Sequence, residues 1–301
     1  MFALMKGSDK IIPLLFKAKA DVNISGAGGK HAIHYASEYG RDSVIQTLVK
    51  SGAQVNQPDS RGWTSLHYAA RGNFKKVIDI LLKSKVQMNA VDSEGNSAIL
   101  VALINGCNES VMTFIKAEAD LTIINKAQQS PAHFIAGMAN LALLKSLQKK
   151  NLNWSLSDNK GKTPVELAAQ AGNAQCFEFM LTKLGAESNC TNAEGESLAH
   201  IISRNGFAAL LPILQAAGGS IDTEDKNGTH PLHLAAAAGS IPVIETLLKL
   251  MADVNSQDHN GDAPIHYATA AGHPEAIECF LQKGADINAK GVLFLFLRIF
   301  L

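Results

Sequence analysis

The chain has 301 residues, 47% apolar and 18% charged, the balance of a folded protein and not of a disordered one. Lysine plus arginine and aspartate plus glutamate both number 27, so the formal net charge is zero and the positive field that binding nucleic acid demands is missing. No apolar run approaches the ~20 residues of a membrane helix, and no C-x-x-C pair occurs among the four cysteines, so a cytoplasmic protein with free thiols in a reducing compartment is expected.

The chain opens on Ile11-Ile12-Pro13-Leu14-Leu15-Phe16, too short and interrupted for a signal segment. With the exit Ala20-Asp21-Val22-Asn23, it reads as the second half of a repeated unit whose first half is missing. Ile11, Ile12, Leu14 and Leu15 supply its apolar face, which residues 1 to 10 are expected to cover.

Eight units follow. A histidine slot falls at His34, His67, Leu100, His133, Glu166, His200, His233 and His266, 33 residues apart except for one step of 34 before His200. The extra residue belongs near Leu184, because the following Gly185-Ala186 arrives one position late. A glycine opening a hairpin falls at Gly29, Gly62, Gly95, Gly161, Gly195, Gly228 and Gly261, with Gln128 in the fourth unit. The end of the first helix holds Gly40, Asn73, Gly106, Ala139, Gly172, Gly206, Gly239 and Gly272. A left-handed residue just past a helix end is easy for glycine, tolerable for asparagine and poor for alanine. Gln128 and Ala139 together predict a distorted fourth unit.

Within a unit, Thr64, Ser97, Ser130, Thr163 and Ser197 stand where a helix N-cap belongs. Pro131, Pro164, Pro231 and Pro264 follow at a first-turn position, whose amide has no intrahelical partner in any case. Ala36, Ala69, Ala102, Ala168, Ala235 and Ala268 permit close helix approach, and Leu81-Leu82 and Leu247-Leu248 are expected to fill the seam. Cys176 and Cys279 fall on second helices as small apolar residues.

A 33-residue period with cores such as Ala263-Pro264-Ile265-His266-Tyr267-Ala268 resembles the ankyrin repeat family over nearly all of residues 11–291. The resemblance implies an all-α fold, an α-solenoid of stacked helix-turn-helix units with β-hairpin loops: eight full repeats and an N-terminal half repeat. Residues 1–291 would form one array. The pattern then stops, and 292–301 read as a β-prone apolar tail, a truncated or misjoined end and an aggregation hazard unless it covers the last repeat.

Candidate chemistry is sparse. Slot histidines on successive repeats lie too far apart to share a metal ion, and the resemblance gives them a structural part, bonding backbone groups between hairpin and helix. His230-Pro231-Leu232-His233 has its spacing only because a histidine fills the threonine slot. Gly26-Ala27-Gly28-Gly29-Lys30 fails as a phosphate loop, and no metalloprotease motif or nucleophile elbow occurs. No enzyme, cofactor or metal site is expected.

What remains is a binding surface. The resemblance implies that hairpin tips and the exposed face of the first helices line a groove for a partner protein. That groove would present Lys30, Tyr35, Glu38, Tyr39, Arg61, Trp63, Tyr68, Arg71 and Asn96 from the first three full units, and Lys160, Lys162, Gln170, Glu194, Glu196, Arg204 and Tyr267 further on. Aromatic and arginine residues dominate interface hot spots, so Tyr35, Glu38, Tyr39, Arg61, Trp63, Tyr68, Arg71 and Asn96 are the candidate contacts. A leucine usually fills the slot of Tyr35 and Tyr68, so both could equally pack between helices; Trp63 on a hairpin tip is harder to explain as core. The expected function is a monomeric, non-catalytic scaffold for an unidentified protein. The alternative is the regulatory or targeting part of a larger enzyme, channel or secreted effector, favoured by the incomplete first repeat and the loss of pattern after Gly291.

Overall fold

The structure is a computed structural model that describes residues 11–18, 20–138, 140–150 and 152–292. The chain divides into two compact units, one ending at Phe134 and one beginning at Ile135. In the first lie α1 (Ile12–Lys17), α2 (Ala32–Glu38), α3 (Asp42–Lys50), α4 (Ser65–Arg71), α5 (Lys75–Leu82), α6 (Ala98–Ile104) and α7 (Asn108–Lys116). The division falls within α8 (Pro131–Gly137), in the repeat whose sequence pattern is weakest. The second unit holds α9 (Leu141–Leu147), α10 (Pro164–Ala171), α11 (Ala174–Lys183), α12 (Leu198–Asn205), α13 (Leu210–Ala216), α14 (Pro231–Ala237), α15 (Ile241–Lys249), α16 (Pro264–Ala271) and α17 (Pro274–Gln282).

Both units are helical stacks of the α-solenoid class. Their helices fall short of the ~12–15 residues at which an isolated helix becomes even marginal, so packing must hold them. In the first unit α2, α4 and α6 pack in series, as do α3, α5 and α7. In the second, α10, α12, α14 and α16 pack in series. The motif alanines Ala36, Ala69, Ala102, Ala168, Ala235 and Ala268 are all buried. Of each leucine pair only the first member, Leu81 or Leu247, reaches the core; the second is half-buried, because it lies about 100° further round the helix. Of the apolar face expected at the start of the chain, Ile12 is buried, while Ile11, Leu14 and Leu15 are exposed. Residues 1–10, assigned to cover that face, lie outside the described residues, as do Ala139 and 293–301.

Thr64, Ser97, Thr163 and Ser197 occupy the N-cap, and Pro164, Pro231 and Pro264 the first turn. The residue after the first helix has positive φ at Gly40, Asn73, Gly106, Gly172, Gly206, Gly239 and Gly272, and Asn73 at φ 55° is the only one with a Cβ. The Asn73 side chain adds a bond to the next repeat, its Oδ1 accepting the Ser110 amide at 3.0 Å. The displaced residue in the fifth repeat shows in the closing bonds. Ala53, Ala119, Gly219, Ala252 and Ala285 each donate to the carbonyl five residues back, whereas Ala186 donates to Met180, six back. The inserted residue therefore lengthens the end of α11.

The fourth hairpin is not distorted as expected. Gln128 takes φ 60°, matching the glycines at Gly62 (79°) and Gly95 (81°). The surrounding bonds are intact: the Gln128 amide reaches the Asn125 carbonyl at 2.9 Å, and Lys126 reaches the Glu94 carbonyl at 2.9 Å. The hairpin keeps its form because these bonds outweigh a local penalty of about 1–2 kcal/mol for a left-handed residue with a Cβ.

Candidate protein-binding site

From the second full repeat on, each hairpin tip is held by a carboxylate or amide side chain three residues before the turn position. Asp59 Oδ1 accepts the amides of Arg61 and Trp63, both at 2.9 Å, and Asp92 Oδ1 accepts those of Glu94 and Asn96 at 2.9 and 2.8 Å. In the second unit Asp158, Asn192, Asp225 and Asp258 do the same. Adjacent tips are tied by backbone bonds, Ser60 to the Gly28 carbonyl and Ser93 to that of Arg61, both at 2.9 Å. The only β-type pairings among the described residues are the isolated bridges Val91–Ser97 and Thr191–Ser197. Residues on the tips are therefore presented on a braced backbone.

On the tips and first helices of the first two full repeats, a cluster of side chains gathers. Tyr68 is the floor. It is fully buried, its hydroxyl donates to Asp59 Oδ2 at 2.6 Å and accepts from Arg61 Nη2 at 2.8 Å. Trp63 stands edge-on to Tyr68 with centroids 5.1 Å apart and donates its Nε1–H to Asp92 Oδ2 at 3.0 Å. The guanidinium carbons of Arg61 and Arg71 lie 4.8 and 5.0 Å from the Trp63 ring centroid. Lys30 Nζ sits 4.5 Å from the Tyr68 ring and 5.3 Å from that of Tyr35. Glu38 bridges two cations, Lys30 at 2.9 Å and Arg71 at 2.8 Å. Cation–ring contacts of this kind contribute about 0.5–1 kcal/mol each where exposed.

The electrostatics follow from this packing. Burial works to raise the Asp59 carboxyl, but bonds from Tyr68, Trp63 and Arg61 prevail and hold it below the ordinary value. Burial and the Asp59 bond push the Tyr68 hydroxyl up. Burial works to lower the Lys30 ammonium, and the contacts with Glu38 and Tyr68 overcome it and raise it. The acids are recessed, Asp59 with 1% and Glu38 with 21% of the side chain exposed, while Arg71 and Arg61 show 38% and 53%. The surface of the cluster is thus cationic over an acidic floor.

Of the candidate contacts, Glu38, Arg61, Trp63, Tyr68 and Arg71 come together here, and Tyr35 joins through Lys30. Tyr68 departs from the role assigned to it. With no surface exposed it positions Arg61 and Lys30 and cannot itself meet a partner, because its hydroxyl is drawn inward to Asp59. Tyr39 caps α2 and is 40% exposed. Asn96, the counterpart of Trp63 one repeat on, turns its amide to Asp92 and accepts from Asn125 Nδ2 at 3.1 Å. Asp59 and Asp92 were not among the candidates. Their signal was present as an Asp or Asn three residues before every hairpin glycine except Gly29.

The slot histidines are spent on the backbone. His67 Nδ1 accepts the Thr64 amide at 3.1 Å and its Nε2–H donates to the Asn96 carbonyl of the next hairpin at 3.0 Å. His34, His200 and His233 do likewise, to Gln57, Thr229 and Asp262. Burial lowers all four, His34 to about 4, so they are neutral at physiological pH. His230 pairs with Asp222 at 2.8 Å while its amide bonds His233, so the H-x-x-H spacing brings no shared ligand geometry. Among the described residues no three metal-ligating side chains gather, and no helix is long and apolar enough to cross a membrane. Cys107 and Cys176 are buried free thiols, and Cys279 is only half-buried.

The second unit provides an internal control. Tyr267 donates to Asp258 at 2.7 Å, repeating the Tyr68–Asp59 pair, yet Asn260 and Asp262 stand where the first unit has Arg61 and Trp63. The tyrosine–aspartate bond thus belongs to the repeat, and the cations and the indole are additions to it. A shallow depression in the second unit is lined by Lys162, Glu166, Gln170, Asn192, Glu196 and Arg204, with Arg204 and Glu196 paired.

Profiles for ankyrin repeats match residues 98–192 and 198–291 (three copies) and 33–82 (many copies). Mouse NF-kappa-B inhibitor delta is 36% identical over 85 residues, 28% of this chain and 26% of that protein. Human ankyrin repeat domain-containing protein 53 is 27% identical over 128 residues, 40% of this chain and 24% of that one. The chain thus matches only about a quarter of the length of these curated relatives. The crystal structure of the human ASB11 ankyrin repeat domain superposes with a TM-score of 0.65 at 22% identity, covering 74% of this chain and 99% of that one, a likeness of fold. The chain belongs to the ankyrin repeat family.

Proposed function

We propose that the protein is a non-catalytic protein-interaction scaffold that takes its partner on the hairpin tips and first helices of the first two full repeats. The observation that carries the reading is the cluster of Arg61, Arg71 and Lys30 on Trp63 and Tyr68. Indole and guanidinium groups are the side chains most used as interface anchors, and this group lies on a backbone braced against motion. The matching cluster is missing where the tyrosine–aspartate pair recurs at Tyr267 and Asp258, so folding of the repeat does not require it.

The test is affinity capture from lysate with the parent chain beside the Trp63→Ala, Arg71→Ala double variant, both checked by circular dichroism. A protein retained by the parent and lost from the equally folded variant supports the reading. Equal retention refutes it. A second reading, the regulatory or targeting part of a longer protein, is favoured by the short share of the curated relatives that the chain matches. Genomic sequence on either side of the frame tests it.

A further inference from the structure

Resting on that scaffold reading, we infer that the surface formed by Arg61, Arg71 and Trp63 selects an acidic peptide segment, with a carboxylate side chain of the partner seated on the two guanidinium groups. Each guanidinium has five N–H donors. Arg61 gives Nη2 to Tyr68 and Arg71 gives Nη2 to Glu38, both at 2.8 Å, which leaves further donors on half-exposed side chains. Both heads are held over one indole, so their rotamers are already restricted before a ligand arrives. Preorganisation of this kind lowers the entropy that a carboxylate pair must overcome on binding, and guanidinium–carboxylate pairs are among the stronger charge-assisted bonds.

The charge count selects among anions. Lys30, Arg61 and Arg71 stand against Glu38, Asp59 and Asp92, so the cluster is balanced in formal charge, with its acids recessed and the two arginines as its outer layer. That outer layer suits one or two carboxylates beside apolar contact with the Trp63 ring. It does not suit a phosphate backbone, which needs a row of unpaired cations, and the chain as a whole carries no net positive charge.

The experiment is selection of a random-peptide display library on the full chain, followed by fluorescence anisotropy of the enriched peptides against the parent and the Arg61→Gln, Arg71→Gln variant. Enriched peptides should carry Asp or Glu beside an apolar residue, weaken with added salt, and lose about tenfold or more in affinity on the double variant. A single-stranded oligothymidine should bind at least tenfold more weakly than these peptides. Enrichment of peptides without acidic residues, or acidic peptides indifferent to the variant, overturns the inference and leaves the scaffold reading standing. Tight oligothymidine binding lost on the same variant also overturns it, in favour of a nucleic acid. If no peptide is enriched, both readings fall. Circular dichroism of the Arg61→Gln, Arg71→Gln variant should match that of the parent, which shows that the arginines act on the ligand and not on folding.

Discussion

Gln128 is the one hairpin-opening position among the described repeats that holds a side chain where glycine stands elsewhere, and changing it tests how the tips are built. Its φ of 60° places a Cβ in the left-handed region, at a cost of about 1–2 kcal/mol. The residue is exposed, so removing the side chain forfeits little packing. Glycine returns about 0.5–1 kcal/mol of that gain through its greater freedom in the unfolded chain. Gln128→Gly should therefore stabilise the protein by about 0.5–1 kcal/mol. Gln128→Ala keeps the Cβ and should change almost nothing. The reverse change, Gly62→Ala, adds the same strain at φ 79° and sets a Cβ 2.8 Å from the Ser93 amide nitrogen and 3.0 Å from the Asp92 carbonyl carbon, backbone that must shift. It should destabilise by about 2–3 kcal/mol. Urea unfolding followed by circular dichroism reads all three as midpoint shifts at constant slope. If Gln128→Gly matches or falls below the parent, or Gln128→Ala gains as much as glycine, the backbone account of the hairpin is wrong.

Acid should unfold the stack through its slot histidines. Their folded-state values lie below the ordinary 6.5, so the stability they hold is complete above about pH 6.5 and declines as pH falls toward the folded value, about 4 for His34, whose share is up to ~3 kcal/mol. The urea midpoint should be flat from pH 8 to 7 and fall between 6.5 and 4, with Glu166, raised chiefly by burial, acting in the opposite sense. His34→Leu, copying the natural Leu100, should flatten that profile while lowering stability at pH 7 by about 1–3 kcal/mol, because the His31 amide and Gln57 carbonyl lose their partner. Asn56 ties its repeat to the next, its Oδ1 accepting the Gln87 amide at 2.7 Å, and Asn56→Ala should cost about 0.5–1 kcal/mol by the same urea assay.

The array was legible because its period is a physical requirement. The left-handed residue after the first helix lets that helix end, and the slot histidine satisfies backbone groups that would otherwise be buried without partners. Those demands recur every 33 residues, so the residues that meet them recur too. Even the inserted residue was readable, as a one-residue delay that the structure resolves into the six-residue span of the bond from Ala186 to Met180. Gln128 misled because a missing glycine was read as a sign of distortion, when the bonds of Asn125 and Lys126 keep the turn at the expense of strain. The cluster was only partly legible. Spacing put Arg61, Trp63, Tyr68 and Arg71 on neighbouring repeats, but it could not tell that Tyr68 points its hydroxyl to Asp59, or that Glu38 joins Lys30 to Arg71 across 33 residues. Those contacts depend on rotamers, which a repeat period does not specify.

The most direct test of the central claim sets two faces against each other in one capture experiment. The Trp63→Ala, Arg71→Ala variant alters the cationic tips of the first unit, and Glu196→Ala, Arg204→Ala alters the paired charges lining the depression of the second. The account predicts that the partner retained by the parent is lost from the first variant and kept by the second, with both folded. Loss from the second with retention by the first would contradict it.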